Sequence, residues 1–158
     1  MKIKLILTGK TVEQYVKEGV FLYEKRLKHY IPFEAVYLSD LKSTAKLPHD
    51  QIKEKEAEQQ LKQINHGDFV ILLDEKGKES RSVEFSSFIQ QRMNSGVKTL
   101  LFVIGGPYGF DPSILKRADA MFSLSKLTFS HQIVRILFME QLYRAFTIIK
   151  NEPYHNEG

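Results

Sequence analysis

Short apolar runs alternate along this chain with longer stretches in which apolar positions recur every third or fourth residue, the signatures of strands and helices in turn. Lys2 to Thr8 reads as a first strand, and a helix follows from about Thr11 to Tyr30, with Val12, Val16, Val20, Tyr23 and Leu27 on one face and Thr11 as its N-cap. Pro32 stops that pattern, and Phe33 to Leu38 forms a second strand. Ser39 to Lys46 is polar and aperiodic, a loop. Pro48 to Ile64 has only Ile52, Ala57, Leu61 and Ile64 as an apolar stripe and predicts a surface helix.

The second half repeats the alternation. Phe69 to Leu73 is a strand ending at Asp74, with Glu75 to Lys78 as its turn. A helix over Ser82 to Met93 closes at Asn94-Ser-Gly96 in the manner of a left-handed cap. Thr99 to Ile104 is unbroken apolar sequence, as expected of a central parallel strand covered on both faces. A short helix near Pro112 to Ala118, a segment from Met121 to Ser125 and a last helix from about Ser130 to Ile149 complete the series. The expected fold is α/β with a mainly parallel sheet, helices on both faces and one domain over residues 1–158.

Composition narrows the chemistry. The 158 residues are 42% hydrophobic, enough for a core without staples, and the absence of cysteine excludes disulfides, thiolate metal sites and cysteine nucleophiles. No metal is expected. The first apolar run is too short for a signal peptide and no later one approaches a membrane span, which points to a soluble, cytoplasmic protein with no membrane partner. A net charge of +4 favours approach to phosphate backbone but does not by itself identify a nucleic-acid partner.

Ligands of open α/β sheets bind where the carboxyl ends of strands meet helix N-termini. Three loops fall there: Leu73-Asp74, the glycine loop Ile104 to Phe110, and Leu124 to Phe129. Gly105-Gly-Pro107 suits either a flat ligand lying against backbone or an ordinary turn. G-x-G-x-x-G is absent after the first strand, and no phosphate-binding P-loop occurs. Ser130 and His131 either cap the last helix or join a site. That helix is apolar on nearly every side, so a second subunit is a reasonable cover for one flank. Within it Glu140 precedes Arg144 by four residues, so Arg144 is either half of a structural ion pair or a contact for a phosphate or base oxygen.

Six ordered motifs carry a resemblance. Leu72-Leu-Asp74, Phe102-Val-Ile-Gly-Gly-Pro-Tyr-Gly109, Ser123-Leu-Ser-Lys-Leu-Thr-Phe129, His131-Gln-Ile-Val-Arg135, Glu140-Gln-Leu-Tyr-Arg-Ala-Phe146 and Pro153-Tyr-His155 resemble those of the RlmH family, the 23S ribosomal RNA pseudouridine N3-methyltransferases. The resemblance implies a SPOUT fold with a C-terminal trefoil knot. It implies S-adenosyl-L-methionine bound by Leu73, Gly105, Leu124, Ser125, Lys126, Leu127, Thr128 and Phe129. It further implies a homodimer acting on 23S rRNA in the assembled ribosome, with His155, Arg144 and Tyr154 as catalytic candidates. His155 would take the imide proton, Arg144 would stabilise charge on the base carbonyls, and Tyr154 would stack on or bond the base. Two positions depart from the family: Ser130 stands where proline is usual, and Asn156 where the tail commonly has arginine or lysine. The competing readings are an enzyme using a nucleotide cofactor on a small molecule, and a non-catalytic ribosome-binding factor that keeps the fold.

Overall fold

The computed structural model describes residues 1–157, and its strands and helices alternate as the sequence predicts. In chain order they are β1 (Lys2–Leu7), α1 (Gln14–Leu27), β2 (Phe33–Tyr37), α2 (His49–Leu61), β3 (Phe69–Glu79), α3 (Ser82–Asn94), β4 (Thr99–Ile104), α4 (Pro112–Arg117), β5 (Ala120–Ser123) and α5 (Ile133–Ile149). The strands form one sheet in the order β2-β1-β4-β3-β5, with every pairing parallel.

Side chains of β4 alternate between two cores, as the two-residue period of a strand requires. Leu100, Phe102 and Ile104 pack with Val20 and Leu27 of α1, Phe85 and Ile89 of α3, and Phe138, Leu142 and Phe146 of α5. Leu101 and Val103 face the other way, onto Ala57 of α2 and Ile114 of α4. Each such side chain contributes roughly 1.5–3 kcal/mol on burial. The central strand therefore anchors both layers.

The apolar circumference of α5 is covered mostly from within the chain, because the helix packs against both α1 and α3. Ile133 and Leu137 remain 38% exposed on its outer side.

Several boundaries differ from the sequence expectation, each for a local reason. The N-cap residue of α1 is Glu13, with no side-chain cap, and not Thr11; the Thr11 hydroxyl instead accepts a hydrogen bond from Arg135 Nη1 at 2.6 Å. The predicted turn at Glu75 to Lys78 does not end β3. Leu73 and Lys78 both register with Phe122 of β5, so residues 74–77 bulge out and the strand resumes. Gly77 permits this, since a Cβ there would lie 2.7 Å from the Phe122 backbone. The last helix starts at Ile133 because the Ser130 hydroxyl accepts the Gln132 N–H at 3.1 Å in a separate turn. Gly96 takes the left-handed conformation, φ +79°, that the cap after α3 calls for.

Candidate functional site

From β1 the chain turns to β2 on one side, while β3, β4 and β5 build the other side of the sheet. The reversal lies between β1 and β4, the position at which open α/β sheets leave a crevice beyond the strand ends. The glycine loop after β4 stands there. Gly109, at φ +86°, folds the loop back so that its N–H donates to the Gly106 carbonyl at 3.3 Å. Gly105 lies against Phe110, whose ring would be 3.1 Å from any added Cβ. Gly109 is needed for its left-handed backbone, and Gly105 for a close approach of backbone to a neighbour.

Beyond the ends of β3, β4 and β5 this loop walls a cavity of about 440 Å³. Leu73, Gly105, Leu124, Ser125, Leu127, Thr128 and Phe129 all line it, together with Asp74, Glu75, Tyr108 and His131. Lys126 is exposed and outside the lining. The chain reaches this position by crossing back from the edge strand β5 toward the exit of β1. The Ser123 hydroxyl donates to the Ser125 carbonyl at 2.8 Å, and the Thr128 hydroxyl to Glu75 Oε2 at 2.8 Å, which ties the crossing segment to the bulge of β3.

The far end of the crossing is held by Arg135, which is fully buried. Its guanidinium donates to the carbonyls of Thr8 at 2.8 Å, Gly9 at 3.1 Å and His131 at 3.0 Å, besides the Thr11 hydroxyl. Gln132 adds bonds to the Lys10 carbonyl and the Val12 N–H, at 2.9 and 2.8 Å. An arginine is costly to bury unpaired, and the partners here are backbone carbonyls, two of them at the exit of β1. His131 lies beside it, its pKa pulled below the ordinary histidine value by burial and then by the Arg135 charge.

Arg144, Tyr154 and His155 gather at the other end of α5. Arg144 Nη2 and Nε both bond Glu140 Oε1, at 2.6 and 3.1 Å, and the Tyr154 hydroxyl donates to the same oxygen at 3.1 Å. The guanidinium also covers the Tyr154 ring, 4.7 Å from its centroid. Burial and the Glu140 carboxylate push the Tyr154 hydroxyl above the usual tyrosine range, so it stays a donor. Arg144 Nη1 meets His155 Nδ1 at 3.3 Å. A guanidinium only donates, so Nδ1 accepts and the neutral ring carries its proton on Nε2. That Nε2 is buried without a partner.

Arg144 and Val134 are ten residues apart on one helix, about 15 Å along its axis. None of the residues from Glu140 to the tail lines the cavity that Val134 helps to wall. Two further residues belong to the neighbourhood of the glycine loop and were not singled out in the sequence: Glu56, buried on α2, and His49, stacked on Tyr108 with ring centroids 3.8 Å apart. The signal for Glu56 was its spacing, because Ile52, Glu56 and Gln60 fall on one helical face.

The chain matches the family described as Predicted SPOUT methyltransferase over residues 1–155. It is 55% identical over 156 residues to a protein of Christiangramia forsetii named ribosomal RNA large subunit methyltransferase H, with 99% of each chain covered. A protein of the same name from Parabacteroides distasonis is 51% identical over 157 residues, covering 99% of this chain and 100% of that one. A solved structure of a probable methylase family protein from Haemophilus influenzae Rd KW20 covers 95% of this chain and 66% of its own, with a TM-score of 0.47 and 13% identity.

Proposed function

The chain belongs to the SPOUT methyltransferase family, and we propose that it methylates N3 of a pseudouridine in 23S ribosomal RNA, using S-adenosyl-L-methionine, in the assembled ribosome. The full-length identity to two proteins named ribosomal RNA large subunit methyltransferase H supports the RNA target. In this reading the chain is one domain with the family's trefoil knot, working in the cytoplasm as a homodimer. Among the described residues no helix is long and apolar enough to cross a membrane.

The observation that carries the proposal is the cavity beyond the ends of β3, β4 and β5, whose walls fit an adenosine. Gly105 offers bare backbone, and Leu73, Leu124, Leu127 and Phe129 offer apolar surface for a flat ring. Ser125 and Thr128 supply polar groups in its wall. Bound there, the cofactor supplies an electrophilic methyl group on a sulfonium. The protein then has to place N3 of the base in line and take its imide proton; positioning alone is worth effective molarities of roughly 10⁵–10⁸ M.

The separation of the tail cluster from this cavity within one chain supports the dimer, since a second copy can bring its own tail to the first copy's cavity. In that arrangement Arg144 turns its guanidinium to the base carbonyls and stabilises their developing charge. The same movement releases His155 Nδ1, the ring atom able to accept the proton from N3. Tyr154 stacks on the base or donates to it.

Calorimetric titration with S-adenosylmethionine, competed by S-adenosylhomocysteine, tests the cofactor. Mass spectrometry of 23S rRNA from cells lacking the protein tests the target: loss of one methylated pseudouridine is expected, and an unchanged spectrum rejects it. Sedimentation tests the dimer.

A further inference from the structure

On the β1 side of the glycine loop lies a second cavity, of about 570 Å³, large enough for a nucleotide. Its walls come from the exits of β1 and β2, the loop after β2 and the first turns of α2. Pro107, Tyr108 and His131 line both cavities, so the two adjoin across the lip that Pro107 and Tyr108 form.

Two features show that this cavity is built and not simply a gap. Glu56 lines it while only 8% exposed, and its Oε2 is buried with no hydrogen-bond partner. The carboxyl occupies the space that a side chain at Gly106 would need. A buried acceptor left unpaired is costly, and native proteins keep few of them. At the mouth, His49 and Tyr108 stack at an interplanar angle of 19°, presenting a flat π surface, and Tyr108 is 42% exposed. An unpaired acceptor and an aromatic platform are the elements by which proteins hold an unstacked base.

We propose that this second cavity takes the flipped target base, and that Glu56 selects pseudouridine over uridine by accepting the N1–H that only pseudouridine carries. The inference rests on the methyltransferase reading above. Uridine is joined to ribose through N1, which leaves no hydrogen there; pseudouridine is joined through C5 and keeps N1–H free. N1 and N3 flank the C2 carbonyl. A base gripped at N1 therefore keeps N3 clear of Glu56 and available across the lip to the cofactor cavity. Glu56 is a specificity residue in this scheme, and the proton on N3 is not its concern.

The test compares single-turnover methylation of ribosomes carrying pseudouridine at the target with ribosomes carrying uridine there, prepared from cells lacking the pseudouridine synthase. Wild-type protein should prefer pseudouridine. Glu56→Leu should lose roughly 10- to 100-fold in kcat/KM on pseudouridine and far less on uridine, so the preference collapses while S-adenosylmethionine affinity is kept. Glu56→Gln, whose amide oxygen still accepts, should restore the preference. Glu56→Met, which keeps the apolar stem, replaces the leucine variant if that one is unstable. His49→Ala should raise KM on both ribosomes and leave the preference intact. Three outcomes overturn the proposal: an unchanged preference in Glu56→Leu, a parallel fall in cofactor affinity, or a glutamine variant as unselective as the leucine one. Wild-type protein inactive on both ribosomes would instead reject the methyltransferase reading itself.

Discussion

The two ends of α5 solve the problem of a buried arginine in opposite ways. At its start Arg135 is fully enclosed and bonded to three backbone carbonyls and a hydroxyl, with no carboxylate among its hydrogen-bond partners. At its far end Arg144 keeps 24% of its side chain in solvent and shares a carboxylate, a tyrosine ring and a histidine nitrogen. The first arrangement fixes backbone: it locks the exit of β1 to the segment that roofs the cavity beyond β3, β4 and β5. The second joins side chains of α5 to side chains of the tail and, among the described residues, bonds no strand backbone. A backbone clamp and a side-chain cluster thereby stand at the two ends of one element.

The largest expected effect follows at the rigid end. Arg135→Ala removes four hydrogen bonds and leaves buried carbonyls unpaired, which should lower unfolding stability by about 3–5 kcal/mol. Arg144→Ala loses a partly exposed pair and should cost about 1 kcal/mol or less. Urea denaturation of both variants checks this, and equal losses would erase the distinction between the two ends.

Activity should reverse the ranking. His155→Ala and Arg144→Ala are expected to bind S-adenosylmethionine within twofold of wild type and to methylate ribosomes about 100-fold more slowly, the lower range for a lost proton-transfer group. Wild-type rates in both variants would show that the tail merely docks on α5.

How much of this was legible beforehand differs between the same regions. The central place of β4 was readable because Leu100 to Ile104 are all apolar, and the glycine loop because it directly follows that strand. The path of residues 124–132 was not, since Arg135 and Gln132 bond backbone more than a hundred residues away and backbone carbonyls carry no sequence signature. Nor was the continuation of β3, where Glu75-Lys-Gly-Lys78 reads as a turn until β5 is seen alongside to pair with Lys78. Glu56 was obscured by its neighbours: in so charged a helix one more glutamate looks solvated, and its spacing from Ile52 gains meaning only once Gly106 is seen packed against the carboxyl.

Glu56 gives a smaller and pH-dependent effect. Burial pushes its pKa up to about 7 from an ordinary value of 4.5, so the folded state holds the proton more tightly than the unfolded chain. That contribution to stability is present in full below about pH 4.5 and is lost as pH rises through about 7. Lys10, Asp40, His49 and His131 line the same cavity and are kept in Glu56→Gln. The wild-type melting temperature should therefore fall more steeply than that of Glu56→Gln between pH 4.5 and 8. Parallel curves would mean that the carboxyl is solvated.

The smallest expected effect concerns Lys126, the one residue of the family's cofactor set that lies outside the cavity lining. Its neighbours Ser125 and Leu127 are engaged through a turn in which the Leu127 N–H donates to the Ser125 hydroxyl at 3.0 Å, and this turn does not depend on the side chain between them. Lys126→Ala should thus keep the roof in place and change S-adenosylmethionine affinity by less than about twofold, within the range of an exposed charge in water. If instead the cation approaches the ribosomal RNA, its loss should weaken ribosome binding and lower the salt slope by about one unit. A large loss of cofactor affinity would place the lysine over the cavity when ligand is bound, and would make the roof, like the tail, a part that moves.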